Sequence, residues 1–270
     1  MNPNKALWEQ GDFTRIADGM RESGEAFVAD LGVTGQMDVL DLACGDGNTA
    51  LPSAKRGANV LGVDIASNLL AAAKRRAEDA GLTNISFQEG DASNLEDLDD
   101  DSFDLTVSVF GAMFAPRPVD VAKEMVRVTR PGGRVVMGNW IPGDPTVIAQ
   151  LLKISAAYSP SPPEGFISPV TWGVESNVLE RFGEAGIRAE NVVCEPRTWR
   201  FEYPIAPAAV VNEFRTYYGP TMNAFAAAEA NGRTDELLDE LQALFEEKNE
   251  SSEDGSSSIP ATYLHVTVSV

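Results

Sequence analysis

The chain has 270 residues, 43% of them hydrophobic, enough for one sizeable domain with its own core. Its 41 acidic side chains outweigh 21 basic ones, 6 Lys and 15 Arg, for a formal net charge of −20. Such a field repels phosphate backbones and anionic lipid, so nucleic acid and membranes are excluded as partners and a small-molecule substrate is expected.

In chain order, residues 4 to 31 read as one or two amphipathic helices. From Asp38 to Trp140, short β-branched runs alternate with longer helical patterns, the signal for a parallel sheet wrapped by helices. The expected strands are Val39–Ala43, Val60–Val63, Ile85–Gln88, Phe103–Phe110 and Arg134–Asn139. Ser67 is placed to cap a helix running to Ala80, and Pro118 suits the first turn of another. That second helix should stop at Arg130, ahead of Pro131-Gly132-Gly133. Right-handed crossovers make this an α/β fold with a doubly wound, mostly parallel sheet.

Beyond Trp140 the pattern changes. A helix over 145 to 158 precedes a Pro-rich loop, Ser159 to Pro163. A helix from Glu175 to Ala185 leads to strand-like Ala189–Glu195 and Thr198–Tyr203. Helical patterns follow over 207 to 225 and 235 to 249, then a Ser/Glu/Asp/Gly loop of linker composition from Glu250 to Ser258. Leu264, Val266, Val268 and Val270 alternate with polar residues, a half-buried last strand near a sheet edge. The expected layout is one domain: a helical lid over 1–36, a ligand-binding core over 37–145, a helical cap with sheet-completing elements over 146–259, and a final strand over 260–270.

In an open parallel sheet, ligands bind at the carboxyl ends of the strands, where strand order reverses. The turn after the first strand reads LDLACGDGN, Leu40 to Asn48. Gly45 and Gly47 let the backbone turn tightly, and the next helix offers free N–H groups. Gly45-x-Gly47-x-x-Ala50 also satisfies the dinucleotide fingerprint, with Asp64 about twenty residues on to hold a ribose. Asp41 lies inside the strand, where a dinucleotide site usually has an apolar residue. A buried carboxylate there needs hydrogen bonds or a positive group.

Four elements occur in order: the LDLACGDG turn, VDIA (Val63–Ala66), EGDA (Glu89–Ala92) and RPGGR (Arg130–Arg134). Together they resemble class I S-adenosylmethionine-dependent methyltransferases, over roughly residues 38 to 140. The resemblance implies a Rossmann-like sheet with its last strand antiparallel and a helical cap. It also implies S-adenosylmethionine as cofactor, with S-adenosylhomocysteine as product. Asp41 would organise the methionine end, Asp64 bind the ribose diol, Asp91 and the Ala92 amide read the adenine, and Phe110 offer its carbonyl to the methionine amine. Ala43, Asp46, Asn48 and Ile65 complete the implied cofactor set with Gly45 and Gly47. Ala43 stands where the family has the first glycine of G-x-G-x-G, a change expected to shift the turn without abolishing binding. FGAMFAPRP (Phe110–Pro118), GNWIP (Gly138–Pro142) and FRTYYGPTMNAF (Phe214–Phe225) further resemble bacterial methyltransferases related to the quinone-biosynthesis type, over nearly the whole chain.

Methyl transfer from a sulfonium is an in-line displacement, so alignment and exclusion of water can carry much of the catalysis. His265 is the only histidine and reads as structural; no catalytic residue is assigned. Cys44 and Cys194 are the only cysteines, so no disulfide framework, Cys/His zinc site or other metal is expected. The acidic run Asp97 to Asp101 reads as a solvated loop, and Lys74-Arg75-Arg76 as the wet face of a helix. Aromatic side chains expected over the open end of the sheet include Phe110, Phe114, Trp140, Tyr158, Trp172, Tyr217 and Tyr218. Trp8, Phe13, Met113, Phe114, Trp140, Tyr217 and Tyr218 form the candidate lid and acceptor pocket, against a reading of plain core packing.

The leading expectation is a methyltransferase acting on a small, apolar or aromatic acceptor. Two alternatives stay open: an NAD-dependent oxidoreductase and a non-catalytic S-adenosylmethionine-binding sensor. No apolar run reaches the roughly 18 residues of a membrane span, and Met1 to Arg15 lacks a signal-peptide core, so a cytoplasmic protein is expected. The scarcity of Lys beside 41 acids suggests a salt-rich host, with a melting temperature that rises in molar salt.

Overall fold

The computed structural model describes residues 4–270. The β-branched runs become strands β1 (Asp38–Leu42), β2 (Asn59–Asp64), β3 (Ile85–Glu89), β4 (Phe103–Val109) and β5 (Thr129–Trp140), all parallel. Two later strands, β6 (Val192–Tyr203) and β7 (Ser257–Ser269), complete one sheet in the order β3-β2-β1-β4-β5-β7-β6. β7 runs antiparallel to both its neighbours. This is the doubly wound, Rossmann-like sheet the sequence predicts, and its order reverses between β1 and β4. Those two strands have a neighbour on each side, and Val39, Leu40, Leu42, Leu105 and Val107 are wholly buried, which is why their sequences read as apolar runs.

The N-terminal segment forms three short helices, α1 (Asn4–Glu9), α2 (Thr14–Asp18) and α3 (Arg21–Asp30), broken at Gly11 with φ +82° and again at Gly19. The expected lid over 1–36 therefore begins in residues that lie outside the described ones. Helices α4 (Ala50–Lys55), α5 (Ser67–Asp79) and α6 (Pro118–Val128) connect the parallel strands, with Pro118 in the first turn of α6 as predicted. α7 (Val147–Tyr158), α9 (Pro207–Tyr217), α10 (Gly219–Ala230) and α11 (Thr234–Lys248) pack on one another, whereas α8 (Glu175–Glu184) packs on α6. No helix among the described residues is long and apolar enough to cross a membrane.

Several boundaries differ from the sequence reading, each for a local reason. Ser67 does not cap α5; Ala66 precedes the helix in extended conformation, and the Ser67 amide and hydroxyl donate to Glu9 of α1 at 3.2 and 2.8 Å. α6 ends at Val128, two residues early, because the strand already starts at Thr129. The Pro131-Gly132-Gly133 segment is absorbed as an irregularity in β5, with Gly132 donating to the Val270 carbonyl and accepting no helix. Pro196 interrupts the pattern of β6 but not the strand, since β6 is the sheet edge and one face of its ladder needs no donor. Gly219-Pro220 splits the helical run after residue 207 into α9 and α10, leaving Tyr218 extended between them. β7 starts at Ser257, inside the apparent linker, because Ser257 and Ser258 pair with Tyr203 and Glu202.

Candidate active site

β1 delivers the chain into a turn that only unusual backbone conformations can make. Gly45 and Gly47 have φ of +55° and +91°, and Ala43 sits at +57°, the left-handed region an L-residue seldom adopts. The methyl of Ala43 is accommodated because the facing residue is Gly111. A Cβ added there would fall 2.4 Å from the Ala43 carbonyl oxygen and 2.6 Å from its Cβ. The departure from the family glycine is thus met by a glycine across the turn.

Three carboxylates converge beneath this turn, each held differently. Asp64, at the end of β2, accepts the Gly45 and Ala66 amides, both at 2.8 Å, and is 7% exposed. Burial raises its pKa in spite of those bonds. Asp41 accepts the Thr49 hydroxyl and is sealed inside the sheet, so desolvation lifts its pKa to about 7. No cation pairs with it among the described residues. Asp46 is equally buried but lies between two guanidinium groups, Arg21 at 3.0 Å and Arg76 at 3.2 Å. Asn48 ties the same group together, accepting from Arg21 at 2.8 Å and donating to the Ala17 carbonyl at 2.8 Å. Gly24 on α3 has no room for a side chain, since its Cβ would meet the Asn48 carbonyl oxygen at 2.5 Å. Helices α2 and α3 are therefore clamped onto the glycine turn.

Arg76 was expected on the wet face of its helix with Lys74 and Arg75. Those two are exposed, whereas Arg76 turns in to Asp46, and burial lowers its pKa. The signal was available: Arg76 lies three residues after Ala73, on the buried face of α5. The far end of the N-terminal segment is fastened too, by Lys5 to Glu89 and Glu9 to Ser67.

Together these elements line a cavity that opens to solvent. One half is lined by Ala43, Cys44, Gly45, Asp46, Asn48, Thr49, Asp64, Ile65, Leu69, Gly90 and Ala92. The other half is lined by Asn4, Trp8, Phe13, Ala17, Met20, Val109, Phe110, Gly111, Ala112, Phe114, Ala115 and Trp199. Trp8 stands edge-on to Phe114 at 4.9 Å and to Phe13 at 5.7 Å, so the wall is a mutually packed set of rings. Phe110, at φ +58° after β4, stacks flat on Trp140 at 3.6 Å and meets Trp199 edge-on at 5.0 Å.

Of the sequence-predicted residues, Ala43, Gly45, Asp46, Asn48, Asp64, Ile65, Ala92, Phe110, Trp8, Phe13 and Phe114 line this cavity. Asp41, Gly47, Asp91, Met113, Trp140, Tyr217 and Tyr218 do not. Asp41 acts from behind the turn through Thr49. Asp91 accepts the Ser93 amide and hydroxyl at 2.9 and 2.8 Å, which shapes the loop carrying Ala92. Trp140 backs Phe110, Tyr218 backs Trp8 and Phe13 at 6.1 Å, and Tyr217 lies under Arg15. Tyr158 and Trp172 stand away from the cavity, bonded to Glu240 at 2.7 Å and packed against Phe182 respectively. Trp199, Met20, Ala17 and Thr49 were not foreseen as site residues. The alternation of β6 marks Trp199 as inward-facing, but nothing local says what it faces.

His265 is buried on β7 against Phe27, 5.4 Å between rings, and burial lowers its pKa to about 4. It does not line the cavity and is neutral at pH 7. Cys44 does line it, but burial beside Asp41, Asp64 and Asp46 pushes its thiol pKa well up, so it is no nucleophile. Of the acidic run 97–101, Asp100 pairs with Arg127 at 2.6 Å.

A methyltransferase-domain family model matches residues 40–137. An uncharacterized protein from Mycobacterium tuberculosis is 34% identical over 226 residues, covering 83% of this chain and 79% of its own. A demethylmenaquinone methyltransferase from Paenarthrobacter aurescens is 40% identical over 102 residues, 38% of each chain. Among solved structures, the YcgJ protein from Bacillus subtilis superposes with a TM-score of 0.59 at 20% identity, covering 91% of this chain and 97% of its own.

Proposed function

The chain belongs to the class I S-adenosylmethionine-dependent methyltransferases, and from that premise we propose that it methylates a small, apolar or aromatic acceptor held beneath its N-terminal helices. The observation that carries this reading is a cavity that is polar around the glycine turn and aromatic beyond it. Its two halves offer one place for a nucleoside with an amino-acid tail and one for a ring.

The residues present fit the cofactor. Asp64 is fixed by two backbone amides at the end of β2, with outward lone pairs for a ribose diol. Ala92 and Ile65 flank the position the family gives to adenine, and Phe110 follows β4 where the family places the methionine amine. Asp41 is a buried acid without a cation near that end, suited to stabilising an ammonium or sulfonium. When bound, S-adenosylmethionine supplies an electrophilic methyl group.

The chain's own part is then to align an acceptor and exclude water. Trp8, Phe13 and Phe114 close the aromatic side, and the clamp from Arg21 to Asp46 keeps α2 and α3 down on the turn. No histidine base is needed for an acceptor that is nucleophilic on its own, such as a phenolate, thiol, amine or activated carbon. The local likeness to demethylmenaquinone methyltransferase supports a ring-bearing acceptor of quinol type. The acidic protein surface supports a small-molecule acceptor over a nucleic acid.

Calorimetry with S-adenosylmethionine, S-adenosylhomocysteine and NADH tests the premise, with micromolar binding of the two adenosyl ligands expected and none of NADH. A labelled-methyl transfer screen over phenols, thiols, amines and quinols tests the reaction. Tight cofactor binding without transfer to any of them would turn the reading towards a sensor.

A further inference from the structure

Beyond the glycine turn, the left-handed region is also occupied by Asp101, a residue type that tolerates it, and by Phe110, one that does not. The Phe110 amide still donates to the Gly138 carbonyl at 2.9 Å, so the residue enters its turn in register with β5. A regular parallel ladder would continue with the Trp140 amide donating to the Phe110 carbonyl. No such bond forms, and that carbonyl accepts from no other described residue. The left-handed turn has withdrawn it from the sheet.

The withdrawn carbonyl belongs to the peptide joining Phe110 to Gly111, in the run Val109–Ala112 that lines the cavity. Gly111 is pressed against the glycine turn, since a Cβ on it would fall 2.4 Å from the Ala43 carbonyl oxygen. What offsets the strained backbone is the ring. Trp199 and Tyr263 meet it edge-on at 5.0 and 5.4 Å, whereas Trp140 lies flat on it at 3.6 Å with 8° between the planes. Trp140 is itself confined. Phe201 stacks near it at 6.2 Å, and a Cβ on Gly173 would come within 2.0 Å of the Trp140 carbonyl oxygen. Trp140 does not line the cavity, so any effect it has on a ligand passes through Phe110.

We propose that Trp140 is a positioning residue: its flat stack on Phe110 holds that residue left-handed and keeps the Phe110 carbonyl free to accept a hydrogen bond from the cofactor's ammonium group. The assignment rests on the methyltransferase reading above and adds to it a residue that stands behind the site. Without the stack, Phe110 can relax to an extended conformation and its carbonyl can return to the Trp140 amide, the next donor of the ladder. The carbonyl is then lost to the ammonium group. Asp64 at the end of β2 and Ala92 beyond β3 keep their places, because β1 separates those strands from β4.

The test uses the full chain and calorimetry with S-adenosylhomocysteine and its deaminated analogue, in which hydrogen replaces the ammonium group. Wild type should prefer S-adenosylhomocysteine by about tenfold, the worth of one charge-assisted hydrogen bond. Trp140→Leu, apolar but without a flat face, should bind the two ligands alike, its unchanged affinity for the deaminated analogue showing that it is folded. Trp140→Phe, which brings back a flat ring, should restore the preference. A preference that survives in Trp140→Leu overturns the proposal, as does its absence from the wild type or from Trp140→Phe. So does an equal loss for both ligands with a cooperative melt retained, since a merely structural role lowers both. Should Trp140→Leu lack a cooperative melt, Trp140→Met takes its place and is read in the same way. Wild type that binds neither ligand is a separate result, which overturns the methyltransferase reading and this assignment together.

Discussion

The two halves of the cavity solve the problem of burying polar groups in opposite ways. Around the glycine turn, three buried carboxylates are met by backbone amides, a hydroxyl and two partly exposed guanidinium groups. Across the cavity, rings from α1, the 110–114 segment and β6 exclude polarity almost altogether. A ligand with fixed chemistry can be met by a network built in advance, while a pocket for a variable partner needs shape. Asp41 is the exception within the polar half, a buried acid with no cation beside it among the described residues.

That exception yields the largest expected effect. Because the pKa of Asp41 in the folded protein is about 7 and an ordinary carboxyl lies near 4, the folded chain holds a proton that the unfolded chain releases between those values. Stability from this group is therefore greatest below about pH 4, falls as pH rises to about 7, and is level above. Asp41→Asn should flatten that slope and gain up to about 4 kcal/mol at pH 8 without ligand, while weakening S-adenosylmethionine binding. Thermal melts from pH 5 to 8.5 check it; wild-type and variant curves that stay parallel would place Asp41's proton elsewhere.

Asp64→Ala comes next, removing charge-assisted bonds to a ribose and the anchor of the Gly45 amide. Cofactor affinity should fall by about 1.5–3 kcal/mol, read by calorimetry. Unchanged affinity would mean that the end of β2 is not the ribose site. Arg21→Ala should loosen the clamp by about 1 kcal/mol, a modest figure because the guanidinium is partly exposed and Arg76 remains on Asp46. Faster proteolysis within residues 10–30, suppressed by S-adenosylhomocysteine, is the expected sign, and equal cleavage rates would separate lid from turn. The smallest effect sits at the seam between the halves. Ala43→Gly should relieve left-handed strain, less the greater freedom of glycine in the unfolded chain, for a net gain of about 0.5–1 kcal/mol in stability. A loss instead would show that the Ala43 methyl packs usefully against Gly111.

The half around the glycine turn was largely legible, since its signals are local, although Asp41, Gly47 and Asp91 of the expected set do not line the cavity. A strand, a turn requiring glycine and a helix N-terminus occupy a dozen consecutive positions, and Asp64 follows at a spacing set by one βαβ unit. The aromatic half was only partly legible. Trp8, Phe13, Phe110 and Phe114 were anticipated and do line the cavity, but Trp140, Tyr217 and Tyr218 stand behind it. An aromatic residue on a cap element can face a pocket or back one, and composition does not distinguish the two. Trp199 escaped notice because it lies some 90 positions from Phe110, and only closure of the sheet by β7 brings them to 5.0 Å. Local breaks misled in the same way: Pro196 and Pro131 read as stops until edge position and a bulge supply what a proline cannot.

The sequence by itself determined the sheet, its glycine turn and the cofactor family, because periodicity and turn chemistry act between neighbours along the chain. Tertiary structure alone decided which acid goes without a counter-charge, which arginine turns inward and which aromatic rings face the cavity. Those depend on desolvation and on directional bonds between residues far apart in the chain, and neither exists until the sheet has closed.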